Sequence, residues 1–230
     1  MSLDRKVEIT SNLSKVKEQI ADAAKASDRG ISDIKLIAVT KNFPVADLQI
    51  LYDLGVRDFG ENRDQEASEK VGKLPSDITW HFQGGIQSNK LKSIASWASY
   101  IHSVDQTRYA QLISDYSPAK LRSIFIQISL DQIPESRGGI DPVKLPQISD
   151  EISQMPNIKL MGLMAVAPLD QGSKEAFDRM AKYSSVLVKS HPQATALSIG
   201  MSGDFQEAIK HGATHLRIGS SILGNRNPLI

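Results

Sequence analysis

IKLIAVTKNFPVADLQILYDLG, residues 34–55, holds one complete strand-and-helix unit. Positions 34–40 form a nearly continuous apolar and β-branched run, the pattern of a parallel strand covered on both faces. Pro44 suits a first helical turn, Val45, Leu48 and Leu51 line one face, and Gly55 is placed to end the helix. The same alternation continues to the end of the sequence. Strands are expected at 56–60, 78–82, 100–104, 123–130, 158–166, 195–199 and 215–218, with helices at 64–72, 89–97, 107–116, 143–155, 174–189 and 205–211. Eight such units in 230 residues fit an α/β fold of the TIM type, a (β/α)8 barrel. A doubly wound sheet of fewer strands is the main alternative, but no glycine fingerprint for a dinucleotide follows the first strand. Ahead of the first unit, Leu13, Val16, Ile20 and Ala24 recur at helical spacing within 4–26, predicting an extra N-terminal helix packed outside the main fold. With no Gly/Ser-rich linker or low-complexity tract, residues 1–230 are expected to form one domain.

Composition narrows the chemistry. Lys plus Arg number 27 against 26 Asp plus Glu, so no overall field draws in nucleic acid or an anionic membrane. The absence of cysteine excludes disulfides, thiolate metal sites and thiol catalysis, and no histidine–carboxylate spacing suggests a metal. The N-terminus has no apolar signal core, and no apolar run reaches a membrane span. A soluble cytoplasmic protein is expected, working by acid–base or amine chemistry.

In a barrel of this class reactive groups sit at the C-terminal ends of the strands. Lys41 is one of them. Ile37, Val39 and Lys41 share a strand face, which aims the lysine into the barrel mouth above an apolar layer. Desolvation there would lower its pKa and leave neutral amine to attack an aldehyde. A solvated lysine at a strand end is the plainer alternative. In the stretch 197–226 the seventh strand ends in Gly200, Met201 and Ser202 and the eighth in Gly219, Ser220 and Ser221. Small-residue loops at these two ends are where this fold commonly holds a phosphate, although Asp204 would repel one unless it faces away, and helix capping and tight turns would use the same residues. Arg217 lies within the eighth strand, on the opposite face from Leu216 and Ile218. It either points inward, as a donor to a ring nitrogen that must stay unprotonated, or outward in a salt bridge. Asn62 and Gln83 stand at the second and third strand ends, where an asparagine either hydrogen-bonds a ring hydroxyl or serves as a capping or turn residue; His81 reads best as a satisfied core histidine.

LIAVTK ending at Lys41, DFGEN at 58–62, WHFQGGIQSNK at 80–90, GLMAVAP at 162–168, LSIGMSGDFQEAI at 197–209 and HLRIGSSILGNR at 215–226 together resemble the YggS/PROSC family of pyridoxal phosphate homeostasis proteins, over nearly the whole chain. The resemblance implies the barrel half of fold-type III enzymes of pyridoxal 5′-phosphate (PLP), such as alanine racemase. It places a Schiff base on Lys41, the pyridine nitrogen at Arg217, the phosphate at Ser202, Gly219, Ser220 and the Met201 backbone, and the ring near Asn62. Four positions depart from the family pattern: Arg63 for an aromatic, Gln83 for an aliphatic, and Ser129 and Arg137 for Asn and Lys. Alanine racemase draws a second acid–base group from a further domain, whereas this sequence ends with its barrel, and an arginine at the pyridine nitrogen weakens the ring as an electron sink. The expected role is therefore a monomeric carrier or buffer that passes PLP to apo-enzymes, without robust catalysis. A weak amino-acid racemase is the alternative.

Overall fold

The computed structural model describes residues 3–130, 138–168 and 172–224; Arg137 lies outside them. Eight parallel strands close into a barrel in chain order: β1 (Lys35–Val39), β2 (Asp58–Glu61), β3 (Thr79–Phe82), β4 (Tyr100–Val104), β5 (Arg122–Gln127), β6 (Ile158–Met164), β7 (Ala196–Ser198) and β8 (His215–Ile218). The barrel expected from the strand–helix rhythm is thus present, and the doubly wound alternative is not.

Helices α1 (Leu3–Ala26), α2 (Val45–Asp53), α3 (Asp64–Val71), α4 (Leu91–Trp97), α5 (Thr107–Asp115), α6 (Leu145–Ser153), α7 (Ser173–Ser190), α8 (Phe205–Lys210) and the single turn α9 (Ser220–Leu223) cover its outside. The main apolar core lies between strands and helices, with Leu48, Leu51, Phe59, Phe82 and Phe177 fully buried. This explains the unbroken apolar runs: outward positions of the strands face helices, not water. The N-terminal helix buries Ile9, Leu13, Val16 and Ile20 in this same layer. Its Arg5 donates to Asp47 Oδ2 on α2 at 2.6 Å and to the Leu223 carbonyl at 3.0 Å, so it braces the elements at the closing seam.

Element ends moved by one to three residues. The second strand starts at Asp58 instead of 56, and the fifth stops at Gln127, after which Ile128 makes only an isolated bridge to Ile140. The helices expected to start at 89 and 143 begin as 3-10 turns, Ser88–Lys90 and Pro142–Lys144. Ser220 and Ser221, read as part of a loop, form the first half of α9.

The inside of the barrel is different in kind. Phe125, Met164 and Ala196 form a small apolar cluster against Tyr100 and Val166. Below and beside it stand buried His81, His102, His215, Ser198 and Arg217. Register places Ile37 of β1 beside Arg217 of β8, and Gly60 of β2 beside His81 of β3.

Candidate functional site

A cavity of about 740 Å³ opens at the C-terminal ends of the strands. All seven residues singled out from the sequence, Lys41, Asn62, Met201, Ser202, Arg217, Gly219 and Ser220, line it. Val39, which the sequence put on the same face as Lys41, supplies an apolar wall together with Phe43, Met164 and Val166, which the sequence reading did not name.

Lys41 stands two residues past the end of β1, and the two-residue period carries Val39 and Lys41 to the cavity side together. Its flanking peptide units are tied to the helix layer behind. Lys70 of α3 donates to the Thr40 carbonyl at 2.8 Å, to Glu61 Oε1 at 2.7 Å and to Glu66 Oε1 at 2.6 Å. Glu66 in turn accepts the Asn42 N–H at 2.6 Å, and Thr40 Oγ1 donates to Glu61 at 2.6 Å. Asn42 has φ +64°, a left-handed conformation that asparagine tolerates better than most residues. The lysine therefore sits at a sharp turn held on both sides. Burial pushes the Glu61 carboxyl upward, against the pull of Lys70.

Arg217 points inward. Its Nη1 donates to the Ser198 carbonyl and to Ser198 Oγ (2.8 Å), and its Nη2 donates to the Ala165 carbonyl at 2.9 Å. Its hydrogen-bond partners are neutral, and no carboxylate pairs with it among the described residues, although the charge of Asp204 favours its protonated form from a distance. Burial lowers its pKa to about 10, so the guanidinium still carries its charge at neutral pH. The nitrogen that no protein acceptor takes among the described residues is Nε.

The loops after β7 and β8 meet over Ser202, whose Oγ accepts the N–H groups of Gly219 (3.3 Å) and Ser221 (3.2 Å). Asp204 does not face the cavity as a free charge: its Oδ1 accepts the Met201 N–H at 2.6 Å. The Met201 N–H is accordingly engaged, and the unengaged backbone donors of this cradle are those of Ser202, Gly203 and Ser220 among the described residues.

Two atoms in the cavity wall, Asn62 Oδ1 and Gln83 Nε2, are buried without any hydrogen-bond partner. Gln83 lies across the inner face of Gly60, where an added Cβ would fall 2.0 Å from its Nε2. The other departures lie elsewhere. Arg63 is exposed in a shallow groove beside the cavity, and Ser129 lines a separate groove with Asp141 and Arg179.

Sequence reading missed what lies beneath Arg217. His102 Nδ1 is 2.8 Å from Ser198 Oγ, His102 Nε2 is 2.9 Å from His81 Nδ1, and His81 Nε2 is 2.9 Å from Asp58 Oδ1, which Lys35 also reaches at 2.9 Å. His81 is indeed a satisfied core histidine, but as one link of a chain. The only local signal was that His81 and His102 each fall on an apolar strand. Among the described residues no group of histidines and acids could hold a metal ion, and no helix is long and apolar enough to cross a membrane.

The family model described as "Alanine racemase, N-terminal domain" matches residues 11–227. Alanine racemase of Clostridium difficile aligns with 98% of this chain and 57% of its own at a TM-score of 0.72, but at 18% identity this likeness speaks to the fold alone. A curated relative from Mycobacterium tuberculosis, named "Pyridoxal phosphate homeostasis protein", is 37% identical over 97% of this chain and 95% of its own length. One of the same name from Escherichia coli is 33% identical over 96% and 97%. PipY of Synechococcus elongatus, solved with PLP bound, is 33% identical, with a TM-score of 0.76 over 89% of this chain and 100% of that one. The chain thus belongs to the alanine racemase N-terminal domain family, among the pyridoxal phosphate homeostasis proteins.

Proposed function

We propose that this protein holds PLP reversibly as a Schiff base on Lys41 and serves as a buffer and carrier of the cofactor in vitamin B6 and amino-acid homeostasis. The observation that carries the reading is that one cavity gathers a lysine at a strand end, a charged arginine and a cradle of backbone N–H groups. The residues present fit the group. Ser202, Gly203 and Ser220 have amides to offer a phosphate, with Ser202 Oγ between the two loops. Arg217 would serve the ring nitrogen, and the orphaned Asn62 and Gln83 atoms would find partners on the ring substituents. PLP supplies an aldehyde that a neutral lysine amine captures reversibly. The relatives called pyridoxal phosphate homeostasis proteins, and PipY with PLP bound, point the same way.

The chain's own groups favour retention over turnover. A permanently protonated arginine can only donate, so it suits an unprotonated ring nitrogen and does not promote carbanion chemistry. Following the α-proton of small amino acids in heavy water separates this from racemisation. Slow or absent exchange, together with activation of an apo-enzyme by the PLP-loaded protein, is expected. Rapid exchange at both enantiomers with turnover would contradict the carrier role.

A further inference from the structure

The polar chain under Arg217 has a direction. Asp58 is held ionised by His81 and Lys35 despite its burial, so it can only accept, and His81 Nε2 must carry the proton. Desolvation keeps His81 and His102 neutral, and Tyr100, Phe125 and His215 packed around them offer no acid. His81 Nδ1 is then an acceptor, His102 Nε2 its donor, and His102 Nδ1 an acceptor for the Ser198 hydroxyl. That leaves the Ser198 oxygen to receive Arg217 Nη1. Every donor points the same way, from the cavity to the N-terminal mouth of the barrel.

We propose that Asp58 is the relayed counter-charge of Arg217: a one-way chain Arg217→Ser198→His102→His81→Asp58 presents an electron-rich Ser198 oxygen to the guanidinium and so holds its charge in the cavity wall. Aligned hydrogen bonds polarise one another in a medium of low dielectric, which is why an acid at the far mouth is felt at the ligand end. Asp58, His81, His102 and Ser198 are positioning residues, since only Arg217 lines the cavity. Lys35 trims the charge of Asp58 and fixes its outer end. That the relayed charge bears on a bound cofactor rests on the PLP reading above; the polarity of the chain does not.

Nitrogen-15 NMR of the histidine rings in the PLP-free wild-type protein tests the polarity directly. Both His81 and His102 are expected as neutral Nε2–H tautomers at pH 7.5. An Nδ1–H tautomer at His102, or an imidazolium at either ring, overturns the proposal. In PLP-loaded protein, Asp58→Asn removes negative charge and is expected to lower the pH midpoint of the yellow form at least about threefold in proton affinity, with full loading retained and Asp58→Glu restoring the midpoint. His102→Phe, which cuts the chain, is expected to shift it in the same sense, and the double variant no further than His102→Phe alone. Additive shifts would mean that Asp58 acts through space, and an unmoved midpoint that it is merely structural; either result contradicts the relay. If PLP does not bind at all, the tautomer measurement still decides.

Discussion

At the scale of single residues, Lys41 owes its position to a second, buried lysine. Lys70, with only 5% of its side chain exposed, neutralises Glu61 and Glu66 and grips the Thr40 carbonyl. Replacing it by methionine would strand the fully buried Glu61 without its partner, and losses of this kind run to about 3–5 kcal/mol. Lys70→Met is therefore expected to lower the thermal midpoint sharply, and less at pH 5 than at pH 8, because protonation of Glu61 relieves the unpaired charge. A loss independent of pH would show that Glu61 is not the group left exposed to the change. Gln83 makes the opposite case. Its buried, unpartnered Nε2 is a burden in the PLP-free protein, of about 1–3 kcal/mol for such a group. Gln83→Leu is expected to leave the PLP-free protein at least as stable while PLP is lost several-fold faster; a less stable PLP-free variant would contradict the assignment. Lys41 and Arg217 were legible in the sequence because a strand's two-residue period and its end point suffice to aim a side chain. The engagement of the Met201 amide by Asp204 was not, since it depends on the path of the loop.

At the scale of elements, the barrel's register slips in the pairing of β4 with β5, between Ile101 and Val104, and again in that of β5 with β6. The β5–β6 register slips by one residue between Ile124 and Phe125, with Gly162 beyond the slip at φ +149°. A Cβ there would lie 1.9 Å from the Ala196 carbonyl oxygen of β7. Glycine is required both by the backbone conformation and by this close approach, as is common at a bulge. Gly162→Ala is expected to cost about 2–3 kcal/mol or more, read as a lower denaturant midpoint. An unchanged midpoint would show that β6 can shift to make room. Strand and helix order could be read from periodicity alone, because each element buries a face of its own. Their ends could not, because Pro142 and Pro146, the bulge and the single turn of α9 answer to neighbouring elements more than to local pattern.

At the scale of the whole molecule, the barrel interior holds a polar stack, three histidines kept neutral by burial between a charged Arg217 and an ionised Asp58. His81, His102 and His215 all have pKa values pushed below the ordinary 6.5, that of His215 to about 3. Below pH 6.5 the unfolded chain takes up protons that the folded barrel refuses, so stability falls as pH drops. The slope approaches ~1.4 kcal/mol per pH unit for each such histidine, from 6.5 down toward the folded pKa. A thermal midpoint that declines steeply between pH 6.5 and 4 is expected, and a flat profile across that range would show that these rings accept protons in place. Nothing in the linear sequence announced this stack. Its members are spread over β2, β3, β4, β7 and β8, and only closure of the barrel brings them together.

The same closure joins Lys41, from the start of the sequence, to Ser202 and Arg217, from its end, and the proposed function rests on that meeting. Reduction of the PLP-loaded protein with borohydride, followed by peptide mapping, tests it most directly. The account predicts one phosphopyridoxyl group per chain, on Lys41. A group on any other lysine, or none on a protein that has been saturated with PLP, would contradict it.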